Sequence, residues 1–419
     1  MRQRDARGGT LILGGGFAGA WVARLLGRSG ATIVNLENFM LFTSMLPEAA
    51  SGTLEPRHVV VPLRQMCPHA ELLLGRVTGE HDAERRTVRV ETEAGDFAVR
   101  YESMVVALGG VPATFPVPGL AERGLAFRTL ADAIALRNHI LRRLEAADAA
   151  LDDAERDRQL SFVFVGAGYA GVEALAELAD LVRDALHAYP RLAAARQRWL
   201  LVDAAPKILP EIPTRLGEYA ARELAGRGVE IHVETRLESI VDGHAVLSDG
   251  TELDTETLVW TTGVRPSPIL APLGLPVDER GRVPVDSLLR VEGTERIWAL
   301  GDCACVPNLA ADRPDPPTQQ HALRQARRLA RNLQGQPEPY RYRMLGQVAT
   351  LGRYKGIAEV LGVRLRGFPA WFVTRTYHLY QLPLASRKLR VVVDWTVSLA
   401  FKRDIAELGA LGHPERLDE

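Results

Sequence analysis

Two stretches of this 419-residue chain carry glycines at a spacing that suits anion chemistry. Gly14, Gly16 and Gly19 follow the apolar run TLIL, and Gly166, Gly168 and Gly171 follow SFVFV. In both, G-x-G-x-x-G stands after a strand-like run and before an alanine- and leucine-rich stretch with helical patterning. Such a spacing divides the work among the glycines. One permits a tight turn, one lets the backbone approach a pyrophosphate, and one lets the helix pack on the strand. The phosphates then face a helix N-terminus, where N–H groups and the dipole favour anions. Each loop is therefore expected to hold a dinucleotide.

A carboxylate that accepts ribose hydroxyls completes a site of this kind. After the first loop the strand-like residues 31–34 end near Glu37. After the second loop, WLLVD supplies a strand and Asp203. Ala204, Ala205 and Pro206 follow without an arginine for a 2′-phosphate, and Lys207 is the nearby cation, which predicts NADH over NADPH. Further on, ALGDCA at 299–304 is a short apolar strand ending in Gly-Asp. Alone, that dipeptide marks only a turn. After two nucleotide loops, Asp302 reads as a ligand for the sugar-alcohol chain of a flavin. Two dinucleotides, one of them a flavin, imply electron transfer from one to the other.

The elements that must position these residues follow from pattern. The two loops read as a duplicated strand–loop–helix unit, too far apart for a solenoid repeat. MVVALGG at 104–110, followed by a proline-rich stretch to 119, suits a strand leaving one domain for the next, and prolines near 265–276 mark a second crossing. Residues 131–158 read as helix, and 321–333 as a basic helix after the charged, proline-rich loop 311–317. Residues 180–198 read as an insertion ahead of the WLLVD strand. The resulting expectation is an α/β protein with two dinucleotide-binding units, two crossings between domains, and a last segment after the linker-like 335–339.

Composition narrows the chemistry. The formal net charge is −1, so no global field favours nucleic acid. Cys67, Cys303 and Cys305 are too few for a disulfide scaffold, and their C-x-C completes no zinc site, so no metal is expected. The apolar run after the arginines of residues 1–9 is short and enters a glycine loop, which argues against a secretory signal, and the overall reading is cytoplasmic. No cysteine lies in 38–52, which excludes disulfide-reductase and thiol-peroxidase chemistry there.

The combination of GGGFAG, ALGG, VGAGYAGVE, WTTGVRP and ALGDCA resembles flavoproteins with two dinucleotide-binding domains. NFMLFTSMLPEAASG at 38–52, PTQQHALRQ at 317–325, LGRYKGIAEVLG at 351–362 and RTYHLYQL at 375–382 narrow the resemblance to type II NADH dehydrogenases, the single-subunit NADH:quinone oxidoreductases. This implies a Rossmann-like FAD domain, 1–115 and 267–335, split by an inserted NAD domain, 116–266, plus an α+β C-terminal extension, 336–419. FAD would lie on the first loop, with Phe17, Ala18, Glu37 or Asn35, and Asp302. NADH would lie on the second loop, with Tyr169, Ala170 and Asp203. The resemblance also places Thr43 and Ser44 beside the flavin and adds Val77, Ala107, Gly109 and Gly263 as cofactor-binding positions.

Glu173 matches a family glutamate near the nicotinamide and quinone pockets, although an acid early in a helix also suits the dipole. Gln320 matches the first glutamine of the family's A-Q-x-A-x-Q helix. Arg324 stands at the second glutamine position and Gln319 at the leading alanine, which leaves the acceptor open. His321 and His378 are weaker candidates for moving protons. The implied activity is hydride transfer from NADH to FAD and then two electrons to a membrane quinone, without proton pumping. The implied partners are quinone and an anionic membrane surface at the cytoplasmic face of the cell membrane, and a homodimer. In 371–401, aromatic residues alternate with basic ones, including Arg375, with Arg403 just beyond; this predicts a peripheral membrane surface, with packing on the FAD domain or a dimer interface as the alternative. The alternative is a soluble NADH-dependent reductase of a ferredoxin- or rubredoxin-like protein.

Overall fold

The computed structural model describes residues 2–311 and 313–407, so the end of the expected C-terminal extension, 408–419, lies outside them. Within these residues the chain builds two compact units. The first gathers 2–42, 60–113 and 264–344, and the second gathers 43–59, 114–263 and 345–407. Along the chain the first unit is thus split by insertion of the second.

A five-stranded parallel sheet forms the middle of the first unit, in the order Ile297–Ala299, Ser103–Val106, Thr10–Leu13, Thr32–Asn35, Glu71–Leu74. Leu11, Ile12, Leu13, Met104, Val105 and Val106 are all fully buried. Parallel strands covered on both faces need unbroken apolar runs, which is why these segments show no alternation. The Phe17–Leu26 helix turns Ala18, Ala20, Val22, Ala23 and Leu26 inward, and these mostly small side chains let the Gln319–Leu333 helix pack closely on it. A four-stranded sheet of Arg2–Asp5, Gly95–Arg100, Thr87–Thr92 and Arg76–Asp82 belongs to the same unit.

The second unit repeats the plan. Its parallel sheet runs Gly124–Ala126, Thr257–Trp260, Ser161–Val165, Arg198–Val202, Val229–His232, and the strand before the glycine loop is again central. Phe162 stacks on Trp199 with ring centroids 4.3 Å apart. The expected helix over 131–158 is two helices, Leu130–Ala149 and Asp153–Gln159. The break comes where Asp152 caps the second helix by accepting from the Glu155 N–H at 2.8 Å, a role aspartate fills better than a helix interior. The expected insertion after 180 is in part a continuation of the Tyr169–Ala185 helix, followed by two short 3-10 turns. From 345 onward the unit adds a three-stranded antiparallel meander and the helices Gly367–Gln381 and Ala385–Ala400.

Candidate functional site

The two glycine loops close by the same geometry. Gly14 and Gly166 have φ of +104° and +111°, in the region that disfavours a side chain. A Cβ on Gly19 would stand 1.9 Å from the Gly14 carbonyl oxygen, and one on Gly171 would stand 1.9 Å from that of Gly166. The middle glycines differ. A Cβ on Gly16 or Gly168 would meet no protein atom within 4 Å, and their φ values, −74° and −75°, are ordinary. Each is a helix N-cap that contributes no side-chain cap. The fold therefore leaves space at both helix N-termini that its own packing does not need. That is the shape of a phosphate cradle, and it fits a bound dinucleotide on each loop.

Around the first loop, Gly14 N–H donates to Val34 O at 2.8 Å and Ala107 N–H to Leu13 O at 2.8 Å. Gly109 follows with φ +62°. Asn35 Oδ1 accepts from Gly15 N–H at 2.8 Å, while its Nδ2 donates to Glu37 O at 2.8 Å. Glu37 itself is exposed. Asp302 sits in the 3-10 turn Gly301–Cys303, and a Cβ on Gly301 would lie 3.2 Å from the Ala18 Cβ. The Gly301–Asp302 turn thus lies against the start of the Phe17–Leu26 helix, so the glycines, Phe17, Ala18, Ala107 and Asp302 are gathered in one region. Val77 is half-buried on the Arg76–Asp82 strand.

Around the second loop the same bonds recur, Gly166 N–H to Val202 O and Thr261 N–H to Val165 O, both at 2.8 Å, and Gly263 has φ +60°. Asp203 Oδ2 accepts from Ala167 N–H at 2.5 Å and Oδ1 from Ala205 N–H at 2.7 Å. Tyr169 is half-buried and Ala170 exposed in the first helical turn. Lys207 Nζ is tied back to Ile212 O at 3.3 Å. Thr43 and Ser44 belong to this unit and begin the 3-10 turn Thr43–Met45.

Further along the Tyr169–Ala185 helix, Glu173, Glu177 and Asp180 are buried on one face. Glu173 Oε1 accepts from both Thr350 N–H, at 2.8 Å, and Thr350 Oγ1, at 3.1 Å. Burial pushes the Glu173 carboxyl up to about 8, outweighing the Thr350 donors that lower it, with Glu48 and Glu177 adding like charge. Arg403 binds Glu177 at 2.8 Å and Asp184 at 3.1 Å. Glu48 pairs with Arg375 at 2.9 Å and accepts from Trp395 Nε1 at 2.8 Å, with the Arg375 guanidinium held over the Trp371 and Trp395 rings. This corrects the expectation for two basic residues of the C-terminal segment. Arg375 and Arg403 are 7% and 8% exposed, and they neutralise buried acids instead of facing a surface.

On the Gln319–Leu333 helix, Gln320 Oε1 accepts from Tyr342 O–H at 3.2 Å, and the Arg324 guanidinium lies 5.3 Å from the centre of the same ring. His321 is buried, 2.6 Å from Thr318 Oγ1, and burial lowers its imidazole. His378 is half-buried in the other unit. Cys67 and Cys303 are buried thiols, both pushed up to about 12 by desolvation, which suits packing and not thiolate chemistry. Sequence reading missed Thr350, Glu48, Glu177 and Gln325. Only the quoted family stretches around Glu48 and Gln325 offered a signal.

Comparison with known proteins agrees with this geometry. The family model of the pyridine nucleotide-disulphide oxidoreductases matches residues 9–326. The internal alternative NAD(P)H-ubiquinone oxidoreductase A1 of Solanum tuberosum mitochondria is 31% identical, over 97% of this chain and 89% of the relative. The type II NADH:quinone oxidoreductase Ndh of Mycobacterium tuberculosis is 29% identical, over 96% and 90%. Among solved structures, NDH2 of Plasmodium falciparum in complex with NADH shares the fold with a TM-score of 0.88 at 17% identity, covering 95% of this chain and 99% of that one. A ferredoxin reductase of Rhodopseudomonas palustris superposes with a TM-score of 0.67 at 24% identity, covering 84% and 82%. The chain belongs to the pyridine nucleotide-disulphide oxidoreductases and, within them, to the type II NADH:quinone oxidoreductases.

Proposed function

We propose that this chain oxidises NADH and reduces a membrane quinone, with FAD on the first glycine loop and NADH on the second, and without pumping protons. The duplicated cradle carries this reading: two helix N-termini each keep room for a pyrophosphate that the protein does not fill. The chemistry FAD supplies when bound is acceptance of hydride from NADH and return of two electrons to an acceptor. The residues do the rest. Gly16 and Gly168 leave the phosphates their space, Asn35 and Asp203 hold the loops, and Asp302 binds the flavin sugar chain. Glu173 carries a proton below about pH 8. With Oε1 already accepting two hydrogen bonds from Thr350, that proton belongs on Oε2, from which it is delivered to the reduced quinone.

Steady-state turnover of NADH with several quinones, oxygen and a ferredoxin- or rubredoxin-like protein tests this. Fast quinone reduction is the expected result, and turnover with the protein acceptor alone would favour the soluble-reductase alternative. Gln320→Ala should impair quinone reduction more than reduction of a small artificial acceptor. Release of FMN instead of FAD from the purified protein would remove the cofactor assignment.

We also propose peripheral attachment to the membrane. Among the described residues no helix is long and apolar enough to cross a bilayer. The Ala385–Ala400 helix has Val391 as its buried residue, while Leu389, Val393 and Val397 are 66%, 51% and 51% exposed, an apolar stripe at helical spacing that faces outward. Phe372, Tyr380 and Phe401 are exposed in the same segment, with Arg390 and Lys402. A stripe of this kind needs cover, and apolar side chains flanked by basic ones suit an anionic lipid surface on the cytoplasmic side, where NADH is found. Flotation with anionic liposomes that weakens with salt is the expected result. A dimer that stays off liposomes would assign the stripe to a subunit interface.

A further inference from the structure

We propose that Gln325 is a positioning residue for the flavin, holding the Gly301–Asp302 turn in the form that presents Asp302 to the FAD sugar chain. The proposal rests on FAD occupying the first loop. Gln325 is 2% exposed, one turn beyond His321 on the Gln319–Leu333 helix. Its Oε1 accepts from Gly301 N–H at 2.8 Å, and its Nε2 donates to Asp315 Oδ2 at 2.9 Å. Gly301 N can only donate and an ionised Asp315 can only accept, so both ends of the amide are determined.

The chain of side chains continues outward. Asp315 Oδ1 accepts from Asn308 Nδ2 at 2.8 Å, and Asn308 in turn donates to Tyr342 O at 2.7 Å and accepts from Tyr342 N–H at 3.0 Å. Asp315 is itself 7% exposed, so its charge is shielded from water and its bonds are strong. The helix that carries Gln325 also packs on the Phe17–Leu26 helix, and Gln334 near its end donates to Leu25 O at 3.1 Å. One helix therefore braces both parts of the expected flavin site, the glycine-loop helix and the Asp302 turn.

The test is the FAD dissociation constant of full-length wild type, Gln325→Leu and Gln325→Glu, measured by cofactor release and rebinding between about pH 5.5 and 8.5. Cofactor released from wild type is identified first. If it is not FAD, the functional reading and this proposal fall together. With FAD present, Gln325→Leu is expected to weaken binding about tenfold or more and to shift the flavin absorption band. Gln325→Glu should bind nearly as wild type at low pH, where the introduced acid is neutral and can donate to Asp315. It should bind worse as pH rises and two carboxylates face each other. Adding Asp315→Asn to Gln325→Glu should flatten that dependence. His321 Nε2 lies 3.6 Å from Asp315 Oδ1 and the Tyr340 hydroxyl also interacts with Asp315, so each variant is compared with wild type at every pH. Should Gln325→Leu fail to fold, the pH series on Gln325→Glu decides. FAD affinity in the Glu variant that follows wild type at all pH values would overturn the proposal.

Discussion

The two glycine loops agree in backbone and disagree in one side chain. Both follow the central strand of a five-stranded parallel sheet, and in both the first glycine donates to a valine carbonyl of the neighbouring strand, Val34 O or Val202 O, at 2.8 Å. The next residue is an amide in one unit and a carboxylate in the other. Asn35 accepts from Gly15 N–H and donates to the carbonyl two residues ahead, Glu37 O. Asp203 accepts from Ala167 N–H and also from the N–H two residues ahead, Ala205. The following turn presents a carbonyl in one unit and an N–H in the other, and the side chain is matched to what it meets. This explains an amide at Asn35: a carboxylate there would face the Glu37 carbonyl. It also means that only the second loop carries a formal charge at this position.

The largest expected effects separate the two cradles. Gly16→Val should yield folded, colourless protein, because the fold has room for the side chain and a bound pyrophosphate does not. Gly168→Val should stay yellow but lose flavin reduction by NADH, each loss being on the order of 100-fold, or about 3 kcal/mol. Absorbance at the flavin band and anaerobic bleaching by NADH read the two outcomes. Colourless protein from both variants would show that the loops do not hold separate ligands.

Next come the exchanged side chains. Asn35→Asp and Asp203→Asn should each cost about 1–3 kcal/mol in thermal unfolding experiments, since each leaves one mismatched donor or acceptor in its loop. Asp203→Ala should also narrow the preference for NADH over NADPH by about tenfold in kcat/KM, because it removes the charge that repels a 2′-phosphate. Wild type using both nucleotides equally would contradict the reading of Asp203 and Ala204–Pro206.

A smaller effect is expected at Thr350. Its donors favour the ionised form of Glu173, so Thr350→Val should raise the carboxyl further above about 8. Quinone reduction that depends on the protonated acid declines as pH rises through that value. The variant should therefore hold its rate to higher pH, while Glu173→Gln should flatten the profile. The smallest effect is expected for Arg324→Gln. It removes a half-exposed cation–π contact of about 0.5–1 kcal/mol with Tyr342, and should alter preference among quinones while flavin reduction by NADH stays unchanged.

Much of the first half of the site was legible because its determinants are local. The G-x-G-x-x-G spacing, the apolar strands before it and the acid or amide after it all lie within about forty residues of one another. Steric exclusion at Gly19 by the Gly14 carbonyl acts over five residues, and that is a distance a motif can encode. The outward stripe of Leu389, Val393 and Val397 lies in the segment 371–401 that the sequence singled out for its aromatic and basic residues, but which way it faced was not legible.

Sequence by itself determined that two strand–loop–helix units of Rossmann type exist, and that each offers a helix N-terminus to phosphate. Tertiary structure alone decided which charged residues are buried. Arg375 meets Glu48 across 327 positions, Arg403 meets Glu177 across 226, and Thr350 meets Glu173 across 177. Read along the chain, these arginines look like surface residues, because an isolated charge belongs in water. Only when the fold brings an opposite charge or two hydrogen-bond donors to the same buried point does that preference reverse, and no local spacing records the meeting.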